Sequence, residues 1–107
     1  MAFSIEKYSN DENPEFADFP QVKTENIIGK AHTLDHVEFG KKKDGTDYVR
    51  VRGDFDGDMM WYYTASYGLV GTLKRVMDDV GSIPKARVKI EKVDTGKQNS
   101  MLIYRDA

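Results

Sequence analysis

Tyr48, Arg50 and Arg52 alternate along one run of the chain, and Trp61 and Tyr63 alternate along the next. Rings can stack on nucleobases, and guanidinium groups can meet phosphates or stack through their planes. This set therefore has the chemistry to hold single-stranded nucleic acid. The two runs meet at Asp56-Gly57, a strong signal for a two-residue hairpin turn. With that turn Phe55 faces Asp58, Arg52 faces Trp61, Arg50 faces Tyr63 and Tyr48 faces Ala65. Directly opposed residues share a face, so Tyr48, Arg50, Arg52, Trp61 and Tyr63 stand together. The other face carries Val49, Val51, Gly53, Met60, Tyr62 and Thr64, a core-like set. A three-residue loop would instead shift the pairing by one and bring Tyr62 beside Arg52.

Lys41, Lys42 and Lys43 lie in the preceding loop, Gly40 to Gly45, and would form a basic edge to this face. Lys97, in the polar loop Asp94 to Asn99, would form the opposite edge. The competing reading is structural: Trp61 and Tyr63 pack beneath the N-terminal segment while the arginines neutralise nearby carboxylates.

Other chemistries fit the spacing poorly. His32, Asp35 and His36 would share one face of a helix and could hold zinc there. In an extended strand four residues span about 13 Å, too far for one metal unless a bulge intervenes. Asp54, Asp56 and Asp58 resemble the start of a calcium loop, but the glycine falls at Gly57 and the last loop position is Ala65 rather than Glu. Ser66, Ser82 and Ser100 have no nucleophile motif around them. Neither an enzyme nor a cofactor is expected.

The elements that would position the face follow from periodicity. A long first strand is expected from Asn26 to Phe39. Its apolar residues change sides near Asp35-His36, which suggests a bulge. Strands follow at Asp47–Phe55 and Met59–Thr64. Leu69, Leu73, Val76, Met77 and Val80 then mark a helix over Ser66–Val80, with Ser66 as N-cap and Gly81 as its stop. Arg87–Val93 and Ser100–Tyr104 complete five strands. The order β-β-β-α-β-β points to a mainly β fold with one helix, a five-stranded OB-fold-like Greek-key barrel. An open sheet covered by one helix is the alternative.

The 107 residues suit one domain, with an acidic, partly disordered arm over 1–25 and the barrel over 26–107. The net charge of −2 is uneven: Met1 to Glu25 holds six acids and two bases, the remainder twelve acids and fourteen bases. A mildly basic domain permits phosphate binding without demanding it. The arm is read as a leader whose rings pack on the domain, or as an acidic segment that covers a basic groove or meets a partner. No cysteine is present, and no apolar run approaches the ~18 residues of a membrane span. The N-terminus lacks the basic start and apolar centre of a signal peptide. A cytoplasmic protein with no membrane partner is expected.

The Lys-Lys-Lys-Asp-Gly hairpin, the Tyr-Val-Arg-Val-Arg strand, the Met-Trp-Tyr-Tyr strand leading into Ser66, the helix, and the Val-Lys-Ile and Met-Leu-Ile-Tyr strands together resemble small OB-fold single-stranded DNA-binding proteins of bacteriophages and mobile elements. The resemblance covers about Asn26 to Asp106 and is one of architecture and side-chain placement. It implies coating of exposed single strands of DNA, with RNA as an alternative, during replication or recombination in the host cytoplasm. It also implies a homodimer or higher oligomer. Many such proteins end in an acidic recruiting tail; here Tyr104-Arg105-Asp106-Ala107 follows the last strand directly and the acidic segment lies at the other end, a departure that puts tail-mediated recruitment in doubt. An OB-like protein-interaction module or a structural subunit of a phage particle is the other reading.

Overall fold

Asp56 and Gly57 both adopt positive φ, 58° and 102°. Paired positive φ values match the twist of the flanking strands and close a two-residue turn. The turn joins β2 (Asp47–Phe55) to β3 (Asp58–Thr64) with Phe55 opposite Asp58, Arg52 opposite Trp61 and Arg50 opposite Tyr63. This is the register expected from the two-residue loop. The alternation then sorts the side chains: Val49, Val51 and Tyr62 are fully buried and Thr64 nearly so.

The computed structural model describes residues 14–94, 96 and 100–107. The remaining elements are α1 (Pro14–Ala17), a single turn; β1 (His32–Lys41); α2 (Tyr67–Val80); β4 (Arg87–Asp94); and β5 (Ser100–Asp106). The five strands form one antiparallel sheet in the order β3-β2-β1-β4-β5. The expected mainly β fold with one long helix is therefore present. The sheet is not closed by a ladder between β3 and β5.

β1 is shorter than expected at its start. Thr24–Ile27 forms a 3-10 turn that buries Ile27, and Gly29 takes φ 84°, a conformation that interrupts a strand. The ladder shifts between Leu34 and His36, which places the expected bulge at Asp35. His32 and Leu34 thus point inward, while His36 lies against the ring of Phe16.

Both ends of the sheet are covered. On β3, the Trp61 amide donates to the Pro20 carbonyl at 3.1 Å and the Val22 amide donates to the Trp61 carbonyl at 2.8 Å. The Thr24 hydroxyl donates to the Tyr63 carbonyl at 2.9 Å. On β5, α2 comes so close that a Cβ at Gly68 would collide with the Leu102 carbonyl oxygen. Such covering satisfies an edge that would otherwise invite another strand. α2 buries Leu69, Val70 and Leu73 and ends at Gly81 in the left-handed conformation, whose amide donates to the Met77 carbonyl. Ser66 occupies the N-cap position, but its side chain makes no capping bond; its amide donates to the Thr64 hydroxyl instead.

Inside, a polar chain crosses the core. His32 Nδ1 lies 3.1 Å from the Lys30 carbonyl, His32 Nε2 3.0 Å from the Tyr62 hydroxyl, and the Tyr62 and Tyr104 hydroxyls 2.6 Å apart. A carbonyl can only accept, so Nδ1 carries the proton and Nε2 accepts from Tyr62, whose oxygen accepts from Tyr104. Burial lowers the His32 pKa and keeps the ring neutral; the Lys30 carbonyl works against this and Arg87 adds to it. Burial also raises both phenol pKa values.

Candidate nucleic-acid interface

The outer face of β2 and β3 carries the five residues expected from the sequence, but it divides into two halves. Near the β1–β2 loop, the rings of Tyr48 and Tyr63 are tilted against each other with centroids 5.2 Å apart. Tyr63 is 37% exposed, which leaves its ring accessible. Tyr48 lies across Gly40, its partner in the β1–β2 ladder, where a Cβ would strike the ring. The Lys42 ammonium stands 5.5 Å from the Tyr63 ring centroid, and contact with Tyr63 raises its pKa, so it stays charged. The Arg50 guanidinium lies 5.8 Å from the Tyr48 ring and 3.9 Å from a Glu38 carboxylate oxygen. Here the exposed Tyr63 ring and the Lys42 ammonium share one patch of surface with the half-buried Tyr48 ring, while the Arg50 side chain is only 14% exposed.

The other half is covered, against the expectation that the face lies open along its length. Phe16, 2% exposed, packs its ring 5.4 Å from that of Trp61. The Trp61 indole N–H donates to the Phe19 carbonyl at 3.1 Å. Arg52 Nε and Nη2 lie 2.6 and 2.5 Å from one Asp35 carboxylate oxygen, and the Arg52 guanidinium is 5.0 Å from the Phe19 ring. Burial works to raise the Asp35 pKa, but Arg52 and Lys85 outweigh it and hold the carboxyl below its ordinary value. The structural reading holds for Trp61, which packs under the N-terminal segment, and for the arginines, which meet carboxylates. It does not hold for Tyr63, which stays exposed. The bulge at Asp35 makes the Arg52 pairing possible, because the extra residue in β1 sets that carboxylate against the outer face.

Among the loop lysines, Lys41 pairs with Asp47 at 3.3 Å, and Asp47 also receives Lys74 at 2.5 Å. Lys42 reaches Tyr63, and Lys43 is exposed. The loop therefore contributes chiefly through Lys42 and Lys43. Lys97 lies outside the described residues. A cleft of about 550 Å³ runs beside Tyr63 between β3 and β5, with Val22, Thr24, Ile28, Lys92 and Leu102 in its walls. Sequence periodicity gave no signal for this cleft, because it arises where the strand ladder fails to close.

No helix among the described residues is long and apolar enough to cross a membrane. No family model matches the chain, and neither a curated protein nor a solved structure matches it.

Proposed function

We propose that this domain binds single-stranded nucleic acid, DNA in the first instance, on the outer face of β2 and β3. The observation that carries the reading is the Tyr48–Tyr63 pair with Lys42 above it and Arg50 at its side. The exposed Tyr63 ring offers a stacking surface worth about 1–3 kcal/mol per base, and the Lys42 ammonium beside it suits a neighbouring phosphate. Lys43 extends the basic edge of the track, and Arg52 and Trp61 form its far end. Coating of exposed strands in replication or recombination, by a homodimer or larger oligomer, is the role that such a surface would serve.

The test is a titration of labelled oligo-dT followed by anisotropy. Binding should weaken steeply between about 50 and 200 mM salt, through release of counterions. Absence of binding at the low-salt end would overturn the reading. A second reading, a protein-interaction module, draws on the arm itself, a polypeptide segment seated along β3 at Gln21–Trp61. A protein interface with an apolar centre would respond far less to salt.

A further inference from the structure

The Arg52–Trp61 half of the face is occupied by groups that match a nucleotide strand in kind. The Phe16 ring packs on Trp61, the Phe19 ring lies over Arg52, and the Phe19 carbonyl takes the indole N–H. Rings, an acceptor and an acid, Asp18, come together in the one segment Phe16–Val22. On a face suited to bases and phosphates, this is the chemistry of a competitor.

We propose that Phe16–Val22 is a tethered competitor for single-stranded nucleic acid, holding the Arg52–Trp61 half closed until a bound strand displaces it. The proposal rests on the nucleic-acid reading above and adds the regulation of that site. Three observations favour it. The main chain of the segment meets that of β3 in one short stretch, the two bonds of Trp61 with Pro20 and Val22, and further contacts are made to the Trp61 and Arg52 side chains themselves. The Tyr63 ring beside it is 37% exposed, so a strand can stack there first and advance toward Trp61. The arm and the remainder of the chain carry opposite net charge, which phosphates entering the face would compete against.

In two-state terms, an arm closed about ten times as often as open lowers the apparent affinity about tenfold. The double variant Phe16→Ala/Phe19→Ala should therefore bind long oligo-dT about tenfold more tightly than the parent, and should contact more nucleotides. Hydrogen exchange on the unaltered chain gives an independent reading that does not depend on the variant folding. On saturation with oligo-dT, the Val22 and Trp61 amides should exchange faster while the core strands hold their protection. If oligo-dT binds with those two amides still protected, or the folded variant binds no better than the parent, the arm is a fixed wall and the proposal is overturned while the nucleic-acid reading stands. If neither protein binds oligo-dT at low salt, both fall.

Discussion

The hydroxyl oxygens of Tyr62 and Tyr104 lie 2.6 Å apart and join β3 to β5, the two strands left at the ends of the sheet. The strands that no ladder connects are thus connected through the core, with His32 as the third member. Removing the Tyr62 hydroxyl strands both neighbours, whereas removing that of Tyr104 leaves Tyr62 bonded to His32. Tyr62→Phe should destabilise the fold by about 1–3 kcal/mol and Tyr104→Phe by less, as read from denaturant midpoints. Equal losses would argue against this arrangement of donors.

His32 also sets a pH dependence. Its folded pKa lies below the ordinary 6.5, so the unfolded chain takes up the proton first as pH falls. The stability of the neutral, buried ring is complete above pH 6.5 and is lost progressively below it, toward the lower folded pKa. The slope is bounded by one proton, about 1.4 kcal/mol per pH unit. Urea unfolding from pH 8 down to pH 5 would measure it, and His32→Gln should flatten that part of the curve.

Gly68 allows α2 to rest on β5. A methyl group there would meet the Leu102 carbonyl, so Gly68→Ala should lower stability by about 1–3 kcal/mol despite the better helix propensity of alanine. A raised melting temperature would show that the helix can shift without loss.

The open half of the face predicts separable effects on binding. Tyr63→Ala should weaken oligo-dT binding by about 1–3 kcal/mol, the value of one stacked base. Lys42→Ala should reduce the slope of affinity against salt by about one counterion. Gly40→Val, which pushes the Tyr48 ring off β1, should weaken binding without altering that slope. Anisotropy titrations at several salt concentrations distinguish these outcomes.

Local chemistry made much of this legible in advance. The Asp56-Gly57 turn, taken as a two-residue loop, gives the register that is found, although the sequence also admits a three-residue loop that shifts the pairing by one. The change of apolar phase after Leu34 marked the bulge at Asp35. Covering of Trp61 by Phe16 was open to either reading, because the contact joins positions far apart in the chain and the N-terminal segment has no period to announce its path. The false extension of β1 back to Asn26 has a similar cause. Ile27 and Ile28 suit a strand by composition, but Ile27 is buried from a 3-10 turn and Gly29 breaks the run. Val80 shows the limit of helical spacing, since it falls on the apolar stripe yet is 62% exposed in the last turn of α2.

With Pro20 and Val22 bonded to both main-chain groups of Trp61, the outer rim of β3 is saturated at that point. It cannot serve at the same time as the seam for a continuous sheet shared between two copies. Self-association by that route would require the N-terminal segment to let go first, so stoichiometry and ligand occupancy would then rise or fall together.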